Sequence, residues 1–229
     1  MPEPALHDRL DRVRAVIAER QQAGGWSHPV RIVAVTKSHG AEAVRAAVAA
    51  GLTDVGENRV QEALAKQAEV RDLTVTWHLI GALQRNKARH AAGAFGLIHS
   101  VDRADLASEL DRRTPEGTTQ DVLVQVNCSR EPQKGGVEPG GLWPLLDAIG
   151  SCPRLAVRGL MTMAALGADE AALHRTFATL RALRDEGVGR GWSLAELSMG
   201  MSDDFPVAVE EGATMLRLGT VLFGTRTHP

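Results

Sequence analysis

Short apolar runs alternate with helical stretches eight times along this chain, and that alternation restricts the possible folds more than any other feature. The runs are RIVAVTK (31–37), DVGEN (54–58), WHLIG (77–81), LIHSVD (97–102), VLVQVN (122–127), LAVRGLMTM (155–163), AELSMG (195–200) and MLRLGTVLFG (215–224). Seven helical segments fill the gaps, and another at about 5–23 stands in front, stopped by Gly24 and Gly25. Nearly unbroken apolar runs suit strands buried on both faces, and short joints to helices suit parallel crossovers. Eight such units predict an α/β fold, a closed (β/α)8 TIM barrel with an extra N-terminal helix. An open doubly wound sheet is the alternative, but it rarely fits so many strands into 229 residues. No linker or low-complexity stretch divides the chain, so residues 1–229 read as one barrel domain.

The totals exclude several classes of function. A formal charge of −2 offers no broad attraction for nucleic acid or an anionic membrane. The basic cluster QRNKARH (84–90) falls where a helix begins and reads as a solvated face. Cys128 and Cys152 form no CxxC pair and no zinc array, so a structural metal is not expected. Asn127-Cys128-Ser129 matches a glycosylation sequon, but the charged, helical N-terminus is no signal peptide and no run is long enough to span a bilayer. A cytoplasmic location is expected. RLGTVLFGT resembles a phosphate-binding GxxxxGKT loop but has Thr225 where the lysine belongs. The eight histidines show no HExxH spacing, and no GxSxG elbow exists.

In a barrel the chemistry sits at the carboxyl ends of the strands. Here those ends carry Lys37, Glu57 and Asn58, Gly81, Ser100 to Asp102, Asn127, Met161 to Met163, Ser198 to Ser202, and Gly219 with Thr220. A lysine where a strand surfaces is either a soluble turn residue or a reactive amine. The loops after strands seven and eight are frequent phosphate sites in barrels, through free N–H groups at a short helix start. Ser202 either caps the helix that Asp203 and Asp204 open or donates to such a phosphate. Alternation places Met215, Arg217 and Gly219 on one face of the last strand, so the Arg217 guanidinium is buried and needs an acceptor. A carboxylate or a ligand heteroatom would serve.

Seven ordered stretches then carry a resemblance that runs nearly end to end: VAVTK (33–37), VGENRVQE (55–62), WHLIGALQRNK (77–87), IHSVD (98–102), GLMTM (159–163), LSMGMSDDF (197–205) and MLRLGTVLFG. The chain resembles the pyridoxal-phosphate homeostasis protein family, related to the N-terminal barrel of alanine racemase. The resemblance implies pyridoxal 5′-phosphate (PLP) as cofactor and Lys37 as its Schiff-base lysine. It also implies Ser202, Gly219 and Thr220 at the phosphate, Arg217 near the pyridine nitrogen and Asn58 beside the cofactor. The implied role is to hold PLP and contribute to its homeostasis or delivery to PLP-dependent apo-enzymes, as a monomer without robust catalysis.

Two enzyme readings compete with it. The first is a PLP-dependent amino-acid racemase on the same barrel; alanine racemase uses a lysine on one face and a tyrosine from a further domain on the other. This chain contains no tyrosine and stops at its eighth strand, which disfavours a two-base racemase. The second is an aldolase-type enzyme using Lys37; it lacks an obvious acid–base carboxylate paired with the lysine, Glu57 and Asp102 being the ones left open.

Overall fold

A computed structural model describes residues 5–129, 131 and 134–224. The chain opens with helix α1 (Leu6–Gly24), followed by β1 (Arg31–Val35), α2 (Ala41–Ala49), β2 (Asp54–Glu57), α3 (Val60–Glu69) and β3 (Thr76–Leu79). A 3-10 turn (Arg85–Lys87) leads into α4 (Ala88–Ala91), β4 (Leu97–Val101), α5 (Ala104–Arg113) and β5 (Gln120–Gln125). The remainder is α6 (Leu142–Gly150), β6 (Leu155–Met161), α7 (Glu170–Gly189), β7 (Glu196–Ser198), α8 (Phe205–Glu210), β8 (Met215–Leu218) and α9 (Thr220–Phe223). The eight strands pair in sequence order and close on themselves, β1 lying parallel to both β2 and β8. The expected barrel with a leading helix is therefore the observed one.

Two apolar layers hold it. Ile32, Ala34, Val55, Leu79, Leu216 and Leu218 face outward into the main core between sheet and helices. Val33, Leu97, Leu123, Met161 and Met215 form a separate cluster, packed against Met163, inside the barrel. Each fully buried aliphatic side chain contributes about 1.5–3 kcal/mol. Helix α1 buries Leu10, Val13 and Ile17. It reaches α8 through Arg20, 2.5 Å from Glu210, and α9 through Arg9, which donates to the Leu222 carbonyl at 3.2 Å.

The structure departs from the sequence expectation in three places. The run 215–224 is not one strand: β8 stops at Leu218, and α9 starts at Thr220 with Leu222 fully buried. A four-residue helix and a strand are both apolar at this length, so periodicity does not separate them. Asp203 and Asp204 precede α8 instead of occupying its first turn, which begins at Phe205 and Pro206. The basic cluster 84–90 begins as a 3-10 turn and only its end enters a one-turn helix. Thr225 lies outside the described residues.

Candidate functional site

The loops after β7 and β8 meet at one hydroxyl. Gly200 turns the chain at φ 94°, and a side chain there would meet Ala208 Cβ at 2.7 Å and Leu216 Cδ2 at 2.9 Å, so only glycine fits. The turn is pinned by Arg217 N–H donating to the Gly200 carbonyl at 3.0 Å and by Met201 N–H donating to Asp204 Oδ1 at 2.6 Å. Ser202 Oγ then accepts from Gly219 N–H at 3.3 Å and Val221 N–H at 3.2 Å. Ser202 does not cap α8, which has no side-chain cap. Its hydroxyl gathers two N–H groups from the start of α9, as an oxyanion would. Thr220 stands exposed beside them. A side chain at Gly219 would meet no protein atom nearer than 3.4 Å, so the protein's own packing does not require glycine there. Two N–H donors and a hydroxyl fit a phosphate.

Lys37 and Asn58 join this rim through strand register. Val35 pairs with Gly56, so Lys37 and Asn58 each lie two residues beyond a matched pair. Ala34 pairs with Leu218, which brings the end of β1 beside Gly219. Lys37 is half-buried and shares the interior parity of Val33 and Val35. The residue after it, Ser38, has φ 65°, the one non-glycine in the left-handed region among the described residues. That conformation costs about 1–2 kcal/mol, so strain sits at the lysine's turn. His39 packs its ring 5.5 Å from Phe223, tying the turn to α9. Gly81 lets β3 approach: a side chain there would lie 2.3 Å from the Asn58 carbonyl oxygen.

Arg217 points inward and is buried, but neither of its hydrogen-bond acceptors is a carboxylate. It donates from Nη1 to Ser198 Oγ at 2.7 Å and from Nη2 to the Thr162 carbonyl at 2.9 Å. Burial pushes it down to about 10, with Asp204 acting in the opposite direction. Below it a polar chain continues: Ser198 Oγ lies 2.9 Å from His99 Nδ1, His99 Nε2 2.9 Å from His78 Nδ1, and His78 Nε2 2.9 Å from Asp54 Oδ1. Spacing along the sequence does not mark these histidines out. Their usable signal is parity, since His99 shares the interior face of Leu97.

Burial holds His99 well below the ordinary histidine value, with His78, Arg217 and Arg31 adding to the effect. An unfolded histidine takes up a proton below about pH 6.5. The folded one does not, so the unfolded state binds more protons as pH falls and stability declines. Burial also pushes Asp204 up, which acts in the opposite sense but in the lower range where carboxylates titrate. Between about pH 6.5 and 5 the wild type should lose up to about 1.4 kcal/mol per pH unit relative to His99→Gln, read by urea unfolding. Equal slopes would show that His99 titrates in the folded protein as it does in the unfolded chain.

Glu57 does not belong to the reactive rim. It is fully buried on the outward face shared with Val55, accepting from Thr36 Oγ1 at 2.5 Å and Lys66 Nζ at 2.6 Å. Lys66 Nζ also donates to the Thr36 carbonyl at 2.7 Å. Glu57 Oε2 has no hydrogen-bond partner. Asp102 accepts from Arg103 at 2.6 Å. No cluster of three or more His, Cys, Asp or Glu among the described residues is arranged to hold a metal ion. No described helix is long and apolar enough to cross a membrane.

The sequence pattern of the alanine racemase N-terminal domain matches residues 9–227. The pyridoxal phosphate homeostasis protein of Pseudomonas aeruginosa is 46% identical over 226 residues, covering 97% of this chain and 96% of its own length. The one from Aquifex aeolicus is 42% identical, covering 96% of this chain and 98% of its own. The structure of PipY from Synechococcus elongatus with PLP bound superposes with a TM-score of 0.84 at 42% identity, over 96% of this chain and all 100% of that one. Alanine racemase from Bacillus anthracis shares the fold, with a TM-score of 0.71 at 16% identity over 94% of this chain and 57% of the racemase.

Proposed function

Since the chain belongs to the alanine racemase N-terminal domain family, among the pyridoxal phosphate homeostasis proteins, we propose that it binds PLP at the carboxyl mouth of its barrel. When bound, PLP supplies an aldehyde able to condense with an amine and an electron-withdrawing pyridine ring. The observation that carries this reading is the convergence of the Gly219 and Val221 N–H groups on Ser202 Oγ. Phosphate takes those two donors, with the Ser202 and Thr220 hydroxyls added. Lys37 Nζ, at the neighbouring strand end, takes the aldehyde, and Asn58 flanks the ring. Arg217 presents a cation toward the pyridine nitrogen. A cation there does not favour a protonated ring, so the ring withdraws electrons poorly and the site retains PLP instead of turning over substrate.

The role that follows is to hold PLP and release it to PLP-dependent apo-enzymes of the cytoplasm, with residues 1–229 acting as one barrel domain and a monomer. PLP against pyridoxal tests the phosphate half. Charge-assisted hydrogen bonds contribute about 1.5–3 kcal/mol each, so Ser202→Ala should weaken PLP binding by about tenfold. Pyridoxal, lacking the phosphate, should bind far more weakly than PLP and be little affected by the substitution. Equal affinities for the two ligands, read by equilibrium dialysis, would remove the phosphate site and the reading with it.

A further inference from the structure

We propose that Asp54, His78, His99 and Ser198 form a one-directional hydrogen-bond relay through the barrel interior that positions the Arg217 guanidinium. Its direction follows from its two ends, and its purpose rests on the cofactor reading above. A guanidinium only donates, and an ionised carboxylate only accepts. Ser198 Oγ therefore accepts from Arg217 Nη1 at 2.7 Å. Its own hydrogen then goes to its other partner, His99 Nδ1, at 2.9 Å. With Nδ1 accepting, His99 carries its hydrogen on Nε2 and donates it to His78 Nδ1 at 2.9 Å. His78 likewise carries its hydrogen on Nε2 and donates it to Asp54 Oδ1 at 2.9 Å.

The reverse arrangement is worse. A hydrogen on His99 Nδ1 would leave Ser198 accepting twice with its own hydrogen unplaced in a fully buried site, at a cost of about 1–3 kcal/mol. Each member is thus held in one orientation by the next, and Arg217 is fixed by Ser198 and by the Thr162 carbonyl. The Asp54 end of the relay, at the start of β2, lies toward the opposite mouth. A cavity of about 330 Å3 there is lined by Arg31, His78, Asp121, Arg158 and Glu196. Arg31 lies 4.0 Å from Asp54 and 3.5 Å from Glu196, and Arg158 pairs with Asp121 at 2.9 Å. At the rim end Asp204 faces Arg217 electrostatically. Arg31 and Arg217 both oppose a further proton on His99, which keeps the direction set.

The direction is read first, in the full chain without added cofactor, by NMR of isotope-labelled histidine at neutral pH. His78 and His99 should each show a hydrogen on Nε2 and none on Nδ1; a hydrogen on Nδ1 of either ring overturns the relay. The positioning role is read by titrating PLP into wild type, His99→Gln and His99→Leu and recording the bound-cofactor spectrum. Glutamine accepts through Oε1 and donates through Nε2, so affinity should stay within about twofold and the spectrum unchanged. Leucine removes both bonds and should weaken binding by about tenfold and shift the absorption maximum. Leucine matching wild type, or glutamine as impaired as leucine, overturns the positioning role. If His99→Leu does not fold, Ser198→Ala, which deletes one buried oxygen, takes its place with the same expected losses. Should wild type retain no PLP, the cofactor reading and the relay's purpose both fall, and the imidazole hydrogens alone decide its direction.

Discussion

A Lys37→Ala variant is expected to fold as the wild type does and to retain no borohydride-reducible PLP. The lysine sits in the turn after β1, half-buried, so truncating it leaves no core cavity and little change in the unfolding midpoint. Two of the three other lysines are held by partners of their own. Lys66, on α3, is buried with Nζ 2.6 Å from Glu57, away from the barrel interior. Lys134 is bonded to the Ala164 carbonyl and lies 2.8 Å from Glu131. An amine attacks an aldehyde only where the aldehyde can reach it, and Lys66 is buried against Glu57. Reduction of the PLP-loaded wild type followed by peptide mapping should place the label on the peptide holding Lys37 and leave the variant at background. Label on Lys66, Lys87 or Lys134 in the wild type would overturn the assignment.

What the sequence revealed and what it hid follow from the same property of barrels. Strands buried on both faces are apolar throughout, so RIVAV and VLVQV announce strands, and their polar terminators announce the rim. That is how Lys37, Asn58, Ser202 and Gly219 become visible. The same property removes the alternation that would say which way each residue faces. His78 and His99 therefore look like incidental histidines within WHLIG and LIHSV until the register and the closed sheet turn both inward. Asp54 shares their fate, reading as a polar strand start when it anchors a chain of side chains from four other strands. Glu57 shows the opposite error. Its place at a strand end suggests chemistry, but its parity with Val55 sends it outward to Lys66, nine residues on and one turn before the end of α3.

The protein should not racemise alanine at an enzymatic rate, even fully loaded with PLP. Racemisation requires a base on each face of the substrate, one to remove the α-proton and another to return it. Lys37, on the proposed placement of the cofactor, would supply one once displaced. The chain has no tyrosine to supply the other. Thr36 and Glu57, the nearest alternatives in sequence, are both fully buried and bonded to each other at 2.5 Å, with Lys66 completing the group. His39 packs against Phe223 outside the barrel interior. With PLP placed as proposed, Arg217 would work against the reaction as well, since a cation facing the pyridine nitrogen weakens the electron withdrawal that makes the α-proton acidic. A missing acid–base group alone lowers the rate by about 10²–10⁴-fold. PLP-loaded protein incubated with L-alanine in deuterated water should yield slow α-deuteration that retains the L configuration, lost in Lys37→Ala, and D-alanine at background. Lys37-dependent D-alanine formed as fast as deuterium enters would place a second base opposite the lysine and make the protein a racemase.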